Sequence, residues 1–549
     1  MARSSVILLA VQAFWGTFGL AAEPIAPLNE TARQNGFHIF NSIHSAMRQW
    51  GSSLNHNGMA MIPATVPKGS LFYHGTHRNL TAGPPPGPEW LAFEIEHAES
   101  FAFTFRYNDL VPGSRSWYPL AFPMSDVQAV IARSPLEGDS MSPEKSVRGY
   151  LHTYQASRDL KLLYVDGCSA GKSDMGMLDT QDLVLRSVRS PSDKPLWDEY
   201  DRAKELCDLV TDWGYDGIIR MEIGFEVIYC NFTSGLDLLS VLRRPFFDQP
   251  EGWGDQARNL FQFARAITHR YDGFDSSRVK LDFSRMVSAY FYPVNLTNPD
   301  LDVRELPRLL LTTPAERDAI RSRVAEVHTH DASPKVGWQG VVDAIVSRYG
   351  ERLALMRSPS AGPEQLVSEI YKVTNTHYEF PETPGDINIR EDSARDAQAR
   401  ERCINNYLKP INLYAESFTE EDTLIHTAIV AVMTRICKTL FEARTLIRDA
   451  QLHISHHTQI TEEYKDGLGE AVARSQRLIV GLVDDLQWTD WKKCRGCTVD
   501  EICFVAMWPY GHPVDHYHPR CLKEADFERP TEDNYWFPDG IKSKLNKPL

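Results

Sequence analysis

The sequence has no excess of positive charge, no long apolar run after its first two dozen residues and no internal repeat. Asp and Glu outnumber Lys and Arg by 73 to 58, which gives a net charge of −15 and argues against nucleic acid as a partner. We expect no membrane partner for the mature chain, because no later segment has the pattern of a membrane span. The metalloprotease signature His-Glu-x-x-His is also absent, and we predict no metal site.

The N-terminus is typical of a secretory signal peptide. Arg3 precedes an apolar run from Val6 to Leu20, and Gly19 and Ala21 are small residues placed as at a cleavage site. The run is shorter than the roughly 20 apolar residues that a membrane anchor needs. We therefore expect residues 1–22 to be removed and the mature protein to be secreted.

An exported chain can be glycosylated and can form disulfides. Nine cysteines are present, and an odd number leaves at least one thiol unpaired within a single chain. Four cysteines lie close together near the C-terminus, where a reducing compartment would suggest zinc but export favours two disulfides of undetermined pairing. These disulfide candidates are Cys494, Cys497, Cys503 and Cys521, and the predicted N-glycosylation sites are Asn29, Asn79, Asn231 and Asn295.

The hydrophobic pattern predicts an α+β protein. Residues 23–245 alternate strand-like and helix-like segments, whereas residues 246–400 are mixed but mainly helical. Residues 401–549 form a helical region with the cysteine-rich tail. Within this region, Thr419–Asp422 has the pattern of a capping box at the start of a long helix.

Three segments of the first part carry the residues of greatest interest. Leu71–Thr76 is a strand candidate that contains Tyr-His-Gly-Thr, and Gly224–Tyr229 is a strand candidate with a central Glu. Between them, Glu89–Phe103 joins a strand-like stretch to a helix-like one rich in aromatic residues. In this order the segments resemble the ADP-ribosyltransferase fold of the poly(ADP-ribose) polymerase and diphtheria-toxin type, over residues 70–235.

The resemblance implies roles for individual residues. His74 would bond to a ribose hydroxyl of NAD, and the backbone of Gly75 would receive the nicotinamide amide. Phe93 or Phe101 would stack on the nicotinamide ring. Glu226 would be the catalytic carboxylate, which stabilises the positive charge that develops on the ribose as the bond to nicotinamide breaks.

These roles imply a secreted ADP-ribosyltransferase or NAD glycohydrolase, with a protein, a small molecule or water as acceptor. NAD would be a substrate, so no permanently bound cofactor is expected. The family has Tyr or Ser where this chain has Leu91 or Phe93, and catalytically silent proteins with this fold are common. In that alternative His74 is a structural histidine and Glu226 a solvent-facing strand residue.

A silent protein would bind a partner or ligand, and a third alternative is an accessory or tailoring role in fungal secondary metabolism. The chain as a whole also resembles a group of fungal secreted proteins, and this similarity includes the motif around Trp90, the loop with Ser169-Ala170, the stretch Arg220-Met221-Glu222 and the cysteine tail. It supports export and implies no activity. Gly167–Ser173 resembles a phosphate loop but has three residues between its glycines, where that loop needs four. We expect a flexible loop there.

Overall fold

A computed structural model gives the structure of the chain. It describes residues 25–79, 83–102, 104–106, 146–191, 198–245, 256–270, 278–300, 303, 305–329, 336–382, 389–455, 462–527 and 534–537. The predicted signal peptide lies outside these residues.

The strands and helices follow in chain order. The strands are β1 (Asn57–Val66), β2 (Leu71–Thr76), β3 (Glu89–Ala92), β4 (Phe105–Arg106), β5 (Ser146–Val147), β6 (Tyr150–Ala156), β7 (Leu160–Gly167), β8 (Gly217–Glu222), β9 (Gly224–Tyr229), β10 (Leu236–Arg243), β11 (Lys280–Leu281), β12 (Val287–Ser288), β13 (Glu501–Phe504) and β14 (Arg520–Lys523). The α-helices are α1 (Asn29–Gln34), α2 (Gly36–Ser45), α3 (Gln49–Leu54), α4 (Ile95–Glu99), α5 (Glu199–Asp212), α6 (Gln256–Arg270), α7 (Pro314–Val327), α8 (Trp338–Arg357), α9 (Pro363–Asn375), α10 (Ile389–Asn405), α11 (Lys409–Asn412), α12 (Glu420–Ser455), α13 (Glu462–Leu486) and α14 (Pro513–Tyr517). A π-helix spans Thr180–Leu185, and short 3-10 helices span Phe283–Arg285, Ala289–Phe291, Ala415–Ser417, Thr489–Lys492 and Glu524–Asp526.

Ten strands form one sheet in the order β10–β6–β2–β3–β9–β8–β7–β1–β11, with β12 also paired to β1. The pairing of β7 with β8 is parallel, and their connection runs through the π-helix and α5. Strands β8 and β9 are buried along their whole length, as expected of strands covered on both faces. β11 and β12 come from beyond residue 245, so the sheet includes residues on both sides of the predicted boundary.

The second half of the chain is mainly helical, and the prediction of an α+β protein with an N-terminal sheet and a helical C-terminal region is confirmed. The backbone amide of Asp422 donates to Thr419 Oγ1 at 3.0 Å, and that of Thr419 donates to Asp422 Oδ2 at 3.1 Å, which confirms the capping box. By length and composition α12 is apolar enough to cross a membrane, unlike the sequence expectation. Most of its apolar stretch is nevertheless buried in the core of the helical region.

Four disulfides join eight cysteines, which is compatible with an extracellular protein. The four tail cysteines are paired, so they are not available as zinc ligands. The remaining cysteine, Cys168, is a buried free thiol. All four predicted glycosylation asparagines have exposed side chains, as a glycan requires. The disulfides are Cys207–Cys230, Cys403–Cys437, Cys494–Cys503 and Cys497–Cys521.

Candidate active site

A group of charged side chains lies on one face of the hairpin formed by β8 and β9. The strand register pairs Arg220 with Glu226 and Glu222 with Gly224. Because side chains alternate between the two faces of a strand, Arg220, Glu222 and Glu226 share a face. Each is at most 4% exposed, and burying a charge is unfavourable unless it is paired.

Lys172 and Glu199 complete the centre of this group. Lys172 follows β7, and its Nζ lies 2.8 Å from Glu222 Oε2. Arg220 Nη2 lies 2.6 Å from Glu226 Oε1 and also bonds to Glu199 at the start of α5. We call Lys172, Glu199, Arg220, Glu222 and Glu226 the central ion cluster.

A second layer of ion pairs contacts the central ion cluster from α5 and the π-helix. Arg202 on α5 contacts Glu199 at 2.7 Å and Asp182, on the π-helix, at 2.8 Å. Arg186 contacts the same Asp182 at 2.8 Å. The four cations of this network thus face four buried carboxylates, and Arg186 also contacts the exposed carboxylate of Glu205 at 2.7 Å. Such balance is needed here, because an unpaired buried charge costs several kcal/mol.

Two neighbouring carboxyl groups of the cluster have opposite pKa shifts. Burial raises the pKa of Glu226, and the charge of Arg220 offsets this only in part. Burial acts in the same sense on Glu222, but Lys172 and His97 outweigh it and lower the pKa of Glu222. Enzymes use such divergent carboxyl pairs to keep one group ionised while the other can exchange a proton.

His97, on α4, borders the cluster and raises the question of a metal. Its Nε2 lies 3.7 Å from Glu222 Oε1, and donor atoms of His97, Glu222 and Glu226 all lie within 4.8 Å of one another. These residue types can ligate a metal ion. Lys172 and Arg220 already balance the two carboxylates, so a divalent ion would leave an excess of positive charge. At the central ion cluster, the absence of a metal site therefore stays a prediction.

His74 lies away from the central ion cluster. It is buried, and its Nδ1 donates a hydrogen bond to the backbone oxygen of Trp90 at 2.7 Å. Its ring lies 5.8 Å from that of His152 and 5.9 Å from that of Phe232. Burial lowers the pKa of His74 to about 4, so the ring is neutral at neutral pH.

The strand register places His74 and Glu226 on opposite faces of the sheet. Tyr73 pairs with Ala92, and Ala92 pairs with Glu226, so these three side chains share a face. His74 follows Tyr73 directly and therefore points to the other face. The structure thus does not bring His74 and Glu226 into the single cleft that the resemblance implies.

Gly75 lies on the same face as Glu226, against α4. A Cβ atom at this position would lie 2.0 Å from the backbone oxygen of Ala98. Only glycine allows α4 to pack so closely on β2. This packing explains why position 75 is a glycine without reference to any ligand.

The two predicted stacking residues are also on different faces. The ring of Phe101 lies 5.8 Å from that of His97, so Phe101 lies beside the central ion cluster. The ring of Phe93 lies 5.1 Å from that of Phe72, on the face of His74. The structure therefore groups Phe101 and Gly75 with Glu226, and Phe93 with His74.

The loop Gly167–Ser173 is buried, and the expectation of a flexible loop there is wrong. Its glycines and Ser169 match the Gly-x-Ser-x-Gly pattern, in which a hydrolase exposes a nucleophilic serine. Here Ser169 is fully buried and its hydroxyl donates to the backbone oxygen of Val165 at 2.8 Å. The loop instead contributes Lys172 to the ion cluster.

Several residues of the site do not follow from the motifs in the sequence. Lys172, His97 and Glu222 join Glu226 from separate elements. One signal was available: β8 carries charged residues at alternate positions, Arg220 and Glu222, in a strand that is otherwise apolar. The alternative that places Glu226 in solvent is wrong, since that residue is 4% exposed.

Comparisons with known proteins identify similar fungal chains. A family model described as the YPL277C N-terminal domain matches residues 27–120 and 131–251, which include the strands around the ion cluster. The chain is 26% identical over 546 residues to YOR389W, an uncharacterized protein of Saccharomyces cerevisiae, covering 86% of this chain and 82% of that protein. It is 27% identical over 385 residues to YPL277C, an uncharacterized protein of the same yeast, covering 58% of this chain and 74% of that protein. No solved structure matches. The chain is thus similar to a yeast protein along most of its length.

Proposed function

We propose that this protein is a secreted enzyme that cleaves the bond between nicotinamide and ribose in NAD, with Glu226 on β9 as its catalytic carboxylate. The observation that carries this proposal is the arrangement of three strands. β2, β3 and β9 hold the three segments that resemble ADP-ribosyltransferases, and they are consecutive neighbours in the sheet although β9 follows much later in the chain. α4 follows β3 directly, as the resemblance requires.

The reaction separates charge in a way that a buried carboxylate can assist. When the bond between C1′ of the ribose and N1 of nicotinamide breaks, nicotinamide leaves as a neutral molecule with both bonding electrons. The ribose then carries a positive charge until water or an acceptor side chain adds to C1′ and releases a proton. Glu226 would stabilise that charge strongly, because the surroundings exclude water. Arg220, 2.6 Å away, would hold the carboxylate in place.

The other residues take roles that follow from the face on which they lie. Phe101 lies beside His97 and would stack on nicotinamide from the side of α4. His74 would act as a positioning residue, because its hydrogen bond to Trp90 ties β2 to β3. Phe93 packs on the far face and would support that strand pair.

Nicotinamide release from NAD tests the proposal. Purified mature protein is incubated with NAD, with and without a mixture of protein acceptors, and nicotinamide is quantified by chromatography. Glu226→Gln keeps the size of the side chain and removes its charge, and we expect it to lower the rate by about 10²–10³-fold. Glu351→Gln is the matched control, because this exposed residue lies on α8, outside the ion network. Equal rates for wild type and folded Glu226→Gln would contradict the assignment.

A second candidate function is that of a binding protein without catalytic activity, and one observation favours it. Every member of the central ion cluster is paired with an opposite charge inside the protein, as in a purely structural network. If this function is correct, wild type releases no nicotinamide under either condition, while Glu226→Gln still lowers the free energy of unfolding. The two candidates are therefore separated by the wild-type rate alone.

A further inference from the structure

A polar cavity lies between the N-terminal helices and the sheet, lined by side chains other than those of the central ion cluster. Its volume is about 40 Å³. A single water needs roughly 10–15 Å³ by this measure, so the space suffices for one ion with a water or two. The side chains that matter here belong to Ser42, Ser45, Asn55, Asp166 and Glu305.

The cavity carries negative charge and no cationic side chain. Asp166, at the end of β7, is 5% exposed, and Glu305 is an exposed residue of the lining. The lining residues all lie in described segments, and none of them is Lys or Arg. Glu305 interacts electrostatically with Lys492, which lies outside the lining, so Asp166 is the carboxylate of the wall that no side-chain cation in the described segments balances.

Asp166 is held by neutral donors. The hydroxyl of Ser42 and the backbone amides of Met59 and Ala60 donate to its carboxylate. Burial raises the pKa of Asp166 to about 6, because these donors do not fully replace the water that burial removes. A buried carboxylate of this kind is stabilised either by binding a proton or by a cation in the cavity.

Two more polar groups in the wall have unused bonding capacity. Ser45 is 6% exposed, and its hydroxyl has no hydrogen-bond partner among the described residues. The same is true of the Nδ2 end of the Asn55 amide, which after rotation by half a turn would present oxygen instead. Buried polar groups of this kind are normally satisfied, so the wall is built to hold something polar.

We propose that this cavity binds a hard cation of the Ca²⁺ type, with Asp166 and neighbouring hydroxyl and amide oxygens as ligands. Every donor atom required is oxygen, which is the ligand that Ca²⁺ and Mg²⁺ prefer. The oxygens come from helix, loop and strand positions, and such an irregular set suits Ca²⁺ better than Mg²⁺, which demands a regular octahedron. With one buried carboxylate the site is weak, and we expect a Kd of about 10⁻⁴–10⁻³ M, as in extracellular Ca²⁺ modules.

Thermal unfolding tests the site without reference to enzymatic activity. The mature chain is treated with EDTA, transferred to metal-free buffer and titrated separately with CaCl₂, MgCl₂ and NaCl. We expect Ca²⁺ to raise the Tm of wild type at the lowest concentration, and Asp166→Asn to weaken the apparent affinity by at least about tenfold. Asp282→Asn is the matched control, because Asp282 is as buried as Asp166 but lies outside the cavity. It should respond to Ca²⁺ as wild type does.

Two outcomes would overturn the proposal. One is a Tm of wild type that does not respond to Ca²⁺, or that responds equally to all three salts, which would leave a cavity that holds water only. The other is an unchanged response in Asp166→Asn. If Asp166→Asn fails to fold, binding is measured instead by Tb³⁺ luminescence. The emission is excited through Tyr290, which also lines the cavity. We then expect emission from wild type that Ca²⁺ displaces and that Ser45→Ala weakens, and no emission would equally overturn the site.

Discussion

At the scale of single residues, Lys172 balances two deeply buried carboxylates. Its Nζ lies 2.8 Å from Glu222 and 3.9 Å from Glu199, both of which are at most 3% exposed. The indole ring of Trp508 covers the same ammonium group at 4.9 Å. Little water reaches this charge, so its attraction to the two carboxylates is strong and its loss would leave them unbalanced.

Replacing Lys172 by Met should therefore lower the free energy of unfolding far more than replacing an exposed residue of a salt bridge. We expect Lys172→Met to lower the free energy of unfolding by about 3–5 kcal/mol in urea denaturation, because Glu222 stays buried without its cation. The additional substitution Glu222→Gln should recover part of that loss. Arg158→Met is the control: Arg158 pairs with Asp216 at 2.6 Å but is 45% exposed, and about 1 kcal/mol or less is expected. Similar losses for both single variants would contradict this account of the cluster.

Sequence patterns locate the residues of this site unevenly. Glu226 stands in a short strand motif and could be singled out, and it is buried among charges as a functional carboxylate would be. His74 stands in an equally clear motif, yet it faces the other side, because a shift of one residue along a strand reverses the side chain. Lys172 and His97 reach the cluster only through the packing of a loop and a helix on the hairpin, which no local pattern encodes.

At the scale of elements, His44 ties three helices together. It lies at the end of α2, and its ring nitrogens contact Asp343 on α8 at 2.8 Å and Asp490 in the 3-10 helix Thr489–Lys492 at 2.7 Å. Arg48 contacts the same Asp343 at 2.7 Å. Burial alone would lower the pKa of His44, but the hydrogen bonds to the two carboxylates raise it above its ordinary value of 6.5.

Because of this arrangement, the contribution of His44 to the free energy of unfolding should decrease as pH rises. A raised pKa in the folded state means that protonated His44 contributes fully below pH 6.5, and that its contribution is lost as pH rises through the higher folded value. We expect the free energy of unfolding of wild type, relative to His44→Gln, to fall as pH increases above 6.5. Urea denaturation from pH 5 to pH 9 measures this difference. His518→Gln removes an exposed histidine and should leave the profile of wild type unchanged; a flat difference for His44→Gln would contradict the prediction.

Helices and strands that have a clear local sequence pattern could be predicted, whereas the elements that they pack against or pair with could not. In the stretch Leu196–Trp213 the apolar residues recur at helical spacing, which predicts a helix there, and α5 spans Glu199–Asp212. The capping box at the start of α12 is likewise encoded in a few adjacent residues. The pairing of β1 with β11 and β12 joins parts of the chain that are far apart, and it depends on the packing of the whole core.

At the scale of the whole molecule, the cysteine-rich tail closes over the sheet. Trp508 and Trp536 are at most 1% exposed, and the hydrophobic core is continuous from the N-terminal helices to these residues. Through Trp508 the tail covers Lys172, and we expect opening of the tail to expose the central ion cluster. The two tail disulfides hold this cover in a segment with little regular structure of its own.

Removing a tail disulfide should therefore expose Lys172, while removing a disulfide elsewhere should not. We expect replacement of Cys497 and Cys521 by Ala to lower the free energy of unfolding by about 2–5 kcal/mol, since the unfolded chain is no longer constrained. In the same variant, an amine-reactive label read by mass spectrometry should modify Lys172, which is protected in wild type because it is 3% exposed. The control replaces Cys403 and Cys437, which join α10 to α12. It should lose comparable stability yet keep Lys172 protected, because local opening of the tail and global unfolding are different events. Equal labelling of the two variants would mean that the tail does not act as a separate cover.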